Sequence, residues 1–251
     1  MTIATVINVR GTKRTVVLLL APGVWAVVLG AASGSACVAV RLFFRLLQWV
    51  FVQQTGMLPI AAATLPSARR ILTPIIGAAL ATLVAWMMRR SAPDLRFEEY
   101  VEAVRLRNGR ILLLSTVWRT ASSAFSVATG AAIGREGSMI QFAAAISSWV
   151  AERSPLRTLS LSRKVAYGAA AAVAAAYQAP IAGVFFATEI VLGAWAWNDI
   201  PQLLLASSTG LLISRLWLGA GPCVRAPGLR ALCIPYVLAG SAGRAGRGAI
   251  H

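Results

Sequence analysis

Long stretches without a charged residue dominate the hydropathy pattern of this chain. Four of them are close to the ~20 residues that a helix needs to cross a bilayer, and each predicts a membrane span: Thr15–Val40, Leu46–Ser67, Ile71–Met88 and Val165–Thr188. The first is longer than the apolar core of a cleaved signal peptide, about 7–15 residues, and other spans follow it. We therefore interpret it as a retained anchor.

After residue 110 the charge-free stretches become shorter. Thr120–Gly134, Gly137–Ala151 and Ile200–Ser214 each contain 15 residues, which as a helix cover ~22 Å of a hydrocarbon core ~30 Å thick. Half-length helices are tolerated in a membrane domain where their ends are buried in protein or line a wet cavity, and many transporters build ion sites from them. The pattern predicts an all-α polytopic membrane protein with broken and tilted helices, and it indicates transport.

Composition and charge agree with a membrane protein. Apolar residues make up 58% of the chain, above the roughly 45–50% of soluble domains. The net charge of +16 is spread over short basic clusters and forms no basic domain, so we expect no nucleic-acid partner. Basic segments alternate with neutral ones, which predicts a cytoplasmic N-terminus, cytoplasmic residues 89–110 and external residues 53–66.

Two carboxylates, Glu136 and Glu189, stand in apolar sequence. An ionised carboxylate costs roughly 2.5–3.5 kcal/mol at the centre of a membrane helix, so each needs an explanation. For Glu189 we favour a buried structural carboxylate, paired with an arginine or capping a helix. For Glu136 the surrounding residues favour a functional role.

Gly134 and Gly137 bracket Arg135 and Glu136 immediately before an apolar run that predicts a helix. Glycine lets backbone amides approach a ligand, and the first amides of a helix lack intrahelical partners and carry the positive end of its dipole. Such a segment can bind an anion without a full positive charge. A carboxylate there could occupy the anion's place when ionised and leave it when protonated, which makes Glu136 a candidate gate.

The same residues resemble the CLC chloride channel and transporter family, whose signature is Gly-Arg-Glu-Gly-Pro followed two residues later by Gln. Here the segment Gly134–Gln141 is Gly-Arg-Glu-Gly-Ser-Met-Ile-Gln. About forty residues later, the alanine-rich run from Gly168 and the sequence Gln178–Gly183, followed by Glu189, are similar to the family's Ala-rich helix, its Asn-Ala-Pro-Leu-Ala-Gly turn and its next Glu. The resemblance extends over about residues 15–217.

This resemblance implies an all-helical fold, a homodimer and a separate ion pathway in each subunit. Glu136 then matches the external gating glutamate, and the chloride-binding residues are Gly134, Arg135, Gly137 and Ser138. Pro180 and Gly183, with Glu189, are expected to be structural. Members of the family have two inverted repeats, and this chain has length for the N-terminal one.

We accordingly expect three regions: a cytoplasmic segment 1–14, a membrane domain 15–218 and a divergent tail 219–251. The tail is rich in Gly, Ala and Arg and has no long apolar run, so we interpret it as the end of a truncated or frame-altered gene product. The second repeat would supply a helix N-terminus and a tyrosine to the anion site.

Three departures from the family pattern affect the predicted mechanism. Ser138 replaces a proline, and a serine can cap a helix start or face the anion. The family's Gly-Ser-Gly-Ile-Pro segment is reduced here to a serine and a proline, and of these Ser91 is a weak candidate ligand. Ile190 occupies the place of a second acid in the family's proton exchangers, which favours passive chloride conduction.

Other chemistry is poorly represented. The three cysteines lack metal-ligand spacing, the single histidine is the last residue, and enzyme motifs are missing, so we predict no metal, no cofactor and no enzyme activity. The predicted function is chloride transport across a cell membrane, in a bacterium the inner membrane. The alternatives are a non-transporting CLC remnant or partner subunit, and an unrelated membrane transporter or enzyme with a chance motif.

Overall fold

A computed structural model describes residues 9–53, 66–91, 99–131, 133–153, 159–194 and 197–219, and these residues contain helices and no strand. The helices are α1 (Val9–Val52), α2 (Ser67–Ser91), α3 (Tyr100–Leu106), α4 (Leu113–Ala128), α5 (Glu136–Glu152), α6 (Leu161–Tyr177), α7 (Pro180–Phe186) and α8 (Ile200–Leu218). A π-helical turn, Ala187–Leu192, continues α7, and a short 3₁₀ turn, Trp197–Asp199, precedes α8. Residues 1–219 form one unit; the second, 220–251, lies outside the described residues, as does the predicted tail from residue 220 onwards.

Helix α1 corrects the first two predicted spans. It is continuous from Val9 to Val52, so residues 46–52 of the second predicted span belong to the first helix, while residues 54–65 of that span lie outside the described residues. Arg41 and Arg45 separate the two charge-free stretches, and the first of them is accommodated, since Arg41 Nη2 donates a hydrogen bond to the Ala176 carbonyl, 3.0 Å away in the last turn of α6. A cation is favourable there because helix C-termini present unpaired carbonyls.

Helix α2 confirms the predicted span over Ile71–Met88. In length and apolar composition, Pro22–Val52 of α1 and Ala68–Ser91 of α2 are both sufficient to cross a membrane. Helix α2 packs on α4 and leaves much of its apolar surface exposed, including Ile71 and Ile75. In a bilayer, lipid covers such a surface at little cost, because lipid tails are as apolar as the side chains.

The span predicted over Val165–Thr188 is wrong as a single helix, because the chain breaks between α6 and α7. Gln178 has a left-handed backbone conformation (φ 57°), Ala179 is extended, and Pro180 is the first residue of α7. Proline lacks an amide hydrogen and fits the first helical position, where that hydrogen would have no acceptor. Pro180 therefore marks the point where the second of two helical pieces begins.

Helix α6 is the centre of the described unit and packs against α1, α5, α7 and α8. Every residue from Lys164 to Ala175 is buried. Small side chains make this possible: a Cβ added to Gly183 of α7 would collide with the Ala170 carbonyl oxygen. Small residues let helix backbones approach closely in a membrane, as we expected for the run from Gly168.

The helices after residue 110 are short, as the charge pattern predicts. Helices α4, α5 and α6 contain 16, 17 and 17 residues, and α8 contains 19. At 1.5 Å per residue, α4 and α5 each measure about 25 Å and do not cover a hydrocarbon core of ~30 Å when it is crossed at a tilt. A helix of this length that crosses the bilayer leaves at least one end inside the hydrocarbon core, where backbone groups need protein, water or an ion as partners.

Candidate functional site

The predicted anion-binding segment lies at the start of α5. The helix begins at Glu136, two residues before the apolar run, and Arg135 precedes it with near-helical backbone angles (φ −74°, ψ −16°) and no capping side chain. The first intrahelical bond in this turn joins the Met139 amide to the Arg135 carbonyl, at 3.2 Å. The amides before Met139 therefore have no intrahelical acceptor and point out of the helix end, which is the arrangement that binds anions elsewhere.

The Glu136 carboxylate folds back over the chain that precedes the helix. A Cβ added to Gly134 would lie 2.8 Å from Glu136 Oε2, so a larger residue at 134 would displace the carboxylate. Glu136 Oε1 lies 3.8 Å from Arg135 Nε, and the two side chains are 35% and 51% exposed. Water screens an ion pair this exposed, so it holds the carboxylate weakly and leaves it able to move.

Gly137 and Ser138 differ in how far their surroundings constrain them. Among the described residues no atom lies within 4 Å of a Cβ added to Gly137, so packing does not require a glycine there. The Ser138 hydroxyl donates to the Arg135 carbonyl at 3.0 Å and lies 3.3 Å from the Ser123 hydroxyl of α4. Because Ser138 has one hydroxyl proton, Ser123 is the donor of the second bond.

A hydroxyl-lined cleft of about 470 Å³ lies beside this segment. Its lining residues come mainly from α4 and are Glu99, Arg119, Ser122, Ser123, Ser126 and Ile133. Arg119 Nη2 pairs with Glu99 Oε1 at 3.2 Å. The cleft thus joins serine hydroxyls and a guanidinium group to the helix start through the Ser123–Ser138 contact, and it is large enough to hold water beside an anion.

Gln141 has a structural role that sequence analysis missed. This buried side chain accepts a hydrogen bond from the Tyr100 amide at 2.8 Å, and its Nε2 lies 3.5 Å from Thr116 Oγ1. It therefore ties the start of α3 and the body of α4 to α5, which fixes the direction of the candidate site. The sequence feature that could have indicated this role is a single amide side chain within an apolar run, because a buried amide needs hydrogen-bond partners.

The remaining predicted residues lie apart from the helix start. Ser91 is the last residue of α2 and is exposed, so it stands at the end of a helix and not at the start of one. Glu189 lies in the π-helical turn with an exposed side chain, which makes our expectation of a buried carboxylate wrong for this position. Gly183 is buried against α6, whereas Ile190 is exposed.

The deeply buried carboxylate is Asp199, which sequence analysis did not single out. It is 3% exposed, lies immediately before α8, accepts a hydrogen bond from the Tyr167 hydroxyl at 3.3 Å and lies 3.2 Å from Arg163 Nε. Removing one member of a buried pair leaves an uncompensated charge, so this cluster fixes the ends of α6 and α8 against each other. Its partners lie more than thirty residues earlier in the chain, where no local pattern indicates them.

Short helices whose first amides are left without intrahelical acceptors are typical of membrane proteins with broken helices. Sequence comparison identifies the family: the chain belongs to the voltage gated chloride channel family, which matches residues 77–246. The solved structure of a slow cyanobacterial Cl⁻/H⁺ antiporter matches its fold with a TM-score of 0.60 at 21% identity, covering 78% of this chain and 46% of that one. The fold is therefore the N-terminal half of the CLC core.

Individual relatives agree with this assignment. A putative ClcB-like chloride channel protein of Ralstonia nicotianae is 36% identical over 208 residues, which is 79% of this chain and 47% of that protein. The ClC-type channel ClcB of Yersinia pseudotuberculosis is 35% identical over 180 residues, 69% of this chain and 42% of that protein. The present chain therefore spans about half the length of these relatives, and the matched family region includes most of residues 219–251.

Proposed function

We propose that this chain forms the N-terminal half of a CLC-type chloride pathway in a cell membrane. The observation that carries the proposal is the start of α5, where open backbone amides and glycines stand beside a carboxylate. In this proposal Gly134, Arg135, Gly137 and Ser138 bind the anion. Family membership supports the substrate, because the similar proteins of Ralstonia and Yersinia are named as chloride channels.

Glu136 acts as the gate in this proposal. Its carboxylate is half-exposed and weakly paired, so it can move between the helix end and the surrounding space. When ionised it carries the same charge as chloride and competes for the amides; when protonated it loses that charge and the anion takes its place. Low pH therefore favours conduction.

Conduction without proton coupling is the mode that we propose. The position that corresponds to a second acid in exchangers is Ile190, which cannot carry a proton. The cyanobacterial protein with the same fold is described as a Cl⁻/H⁺ antiporter. At 21% identity, that similarity supports the shared fold and not a shared transport mode. Proton movement against a gradient in reconstituted vesicles supplied with chloride would contradict uncoupled conduction.

The same proposal includes a cytoplasmic N-terminus, a bacterial inner-membrane location and a homodimer with one pathway per subunit. Alternating basic and neutral segments support the orientation. Exposed leucines on α8, among them Leu205, Leu212 and Leu216, offer an apolar face that a second subunit could cover. Cross-linking in membranes measures the assembly, and labelling of single cysteines at the helix ends measures the orientation.

Halide efflux from liposomes tests the function with Glu136→Gln. We expect wild-type efflux to rise on acidification, and the variant to conduct at a rate independent of pH, because glutamine is neutral throughout. Glu102→Gln is the matched control, since this exposed glutamate lies on α3. A variant with wild-type pH dependence would remove Glu136 from the mechanism. The absence of efflux from every form of the chain would favour a partner subunit that does not transport by itself.

A further inference from the structure

A second cleft, independent of the proposed chloride pathway, lies between the loop that follows α3 and the start of α6. Its volume is about 530 Å³, and its lining residues are Arg107, Asn108, Arg110, Ser160, Leu161 and Ser162. A single halide fills only a small part of such a space, whereas clefts of about 300–1,000 Å³ hold organic ligands. The volume therefore indicates a ligand larger than a halide ion, and the lining residues indicate its chemistry.

Hydrogen bonds hold the arginine-bearing wall of this cleft to two helices. Ser148 of α5 donates to the Gly109 carbonyl at 2.8 Å and accepts from the Ile111 amide at 3.2 Å. Ser162 of α6 donates to the Val104 carbonyl of α3 at 3.1 Å. The loop is thus held to α5, and α3, which precedes it, is held to α6, so the backbone that carries Arg107 and Arg110 loses little entropy when a ligand binds.

The charge of the lining selects an anion. Arg107 and Arg110 face the cleft together with the first turn of α6, whose amides add positive potential. Ser160 caps this turn by accepting a bond from the Arg163 amide at 3.4 Å. Glu152, which is 45% exposed, lies 3.8 Å from Arg110 Nε, and water screens an ion pair this exposed. Arginine forks match phosphate oxygens in geometry, so phosphate is the favoured group.

Exposed leucines beside the arginines show which phosphate compound fits. Leu106 precedes Arg107 and Leu112 follows Arg110 by two residues, and they are 76% and 49% exposed. Leu114, at the start of α4, is 56% exposed. A soluble phosphate has no apolar group that could contact these leucines, whereas a phospholipid has acyl chains that can. The charge pattern also predicts that this loop is cytoplasmic, where the leaflet is rich in anionic lipids.

From this arrangement we infer that the cleft binds the headgroup phosphate of an anionic phospholipid. Arg107 and Arg110 grip the phosphate, Asn108 and the serine hydroxyls contact the remaining headgroup oxygens, and the leucines contact the acyl chains. Because the cleft loop is bonded to α5 through Ser148, a bound lipid would brace the helix whose other end carries Glu136.

Native mass spectrometry of the detergent-solubilised full chain, titrated with phosphatidylglycerol, tests this inference. Replacing both Arg107 and Arg110 with glutamine should raise the Kd for this lipid about tenfold or more, because two charge-assisted contacts are lost. The double replacement of Arg89 and Arg90, exposed arginines in the last turn of α2, removes the same charge elsewhere and should change the Kd less than about twofold. Equal losses in both double variants would overturn the inference.

A second variant covers the case in which the double variant does not fold. Asn108 has a left-handed backbone (φ 51°), which aspartate also tolerates, so Asn108→Asp places a carboxylate in the cleft without backbone strain. Its affinity for phosphatidylglycerol should fall severalfold, with an unchanged circular dichroism spectrum and unchanged binding of phosphatidylcholine. Unchanged phosphatidylglycerol affinity would overturn the site. Displacement of the lipid by equimolar glycerol phosphate would overturn the lipid assignment. These readouts need no ion flux, so they stand apart from the transport proposal.

Discussion

Helix α6 and the Gly134–Ser138 segment both depend on small residues, but for opposite physical reasons. In α6, a Cβ added to Gly168 would collide with Ser147 of α5 and lie 2.7 Å from the Ser33 hydroxyl of α1. At Gly137, by contrast, the described part of the chain leaves a Cβ with open space. Packing explains the glycine in α6 and does not explain the one in the segment, which strengthens a binding role for the latter.

The close contacts of α6 extend to a three-helix junction. A Cβ on Gly34 of α1 would lie 2.8 Å from the Gly210 Cα of α8, and a Cβ on Gly210 would lie 2.7 Å from the Ala171 carbonyl oxygen of α6. Such contacts matter in a membrane because dispersion at short range replaces the hydrophobic drive between helices. The junction therefore supports the bundle that holds the open segment in place.

The largest expected effect comes from filling the packed region. Gly210→Val should lower the free energy of unfolding by about 3 kcal/mol, because the new side chain overlaps Ala171 of α6. Titration with SDS in mixed micelles, followed by circular dichroism, measures this quantity. Gly137→Ala is the matched control and should change it by less than about 0.5 kcal/mol. Similar losses in both variants would show that the two regions are packed alike.

A smaller effect should follow from removing the cation at the end of α6. Arg41→Met deletes the donor to the Ala176 carbonyl and should cost about 1.5 kcal/mol of unfolding free energy, since bonds to charged groups contribute ~1.5–3 kcal/mol. Arg45→Met removes an exposed arginine one turn later in the same helix and serves as the control. If Arg45→Met costs as much as Arg41→Met, net charge and not the contact with α6 stabilises the helix end.

Arg41 also shows why the sequence predicted some helices and not others. The span of α2 and the break before Pro180 follow from local rules, namely charge-free length and the missing amide of proline. Within the continuous α1, Arg41 is bonded to a carbonyl 135 residues away in the chain, which no local window contains. The burial of Asp199 is the same kind of case, because Tyr167 and Arg163 lie in another helix.

In the candidate site, too, some features follow from adjacent residues and others from residues far away in the chain. Glycine placement and the following apolar run predicted the helix start and its open amides, because both are properties of adjacent residues. The fold of the Glu136 carboxylate over Gly134 depends on side-chain angles that sequence does not determine. The role of Gln141 depends on Tyr100, which lies 41 residues earlier. Local sequence therefore predicts where α5 starts, and the packing of α3 and α4 on α5 shows how that helix start is held.

The smallest expected effect tests how far α4 constrains the open segment. Ser123→Ala removes the donor to the Ser138 hydroxyl, a partly buried contact of 3.3 Å, and should lower the free energy of unfolding by about 0.5–1 kcal/mol. The Ser138 bond to the Arg135 carbonyl remains, so the helix start keeps its shape. Halide efflux should therefore retain its rise on acidification, as measured in the liposomes used for Glu136→Gln.

Ser126→Ala is the control for this variant, because Ser126 lines the same cleft and its hydroxyl forms no hydrogen bond with α5 among the described residues. It should match wild type in both stability and efflux. If Ser123→Ala instead abolished the pH dependence as Glu136→Gln does, the amides of α5 would need α4 to hold them in position. The Gly134–Ser138 segment would then resemble α6 in depending on packing, in this case the packing of α4 on α5.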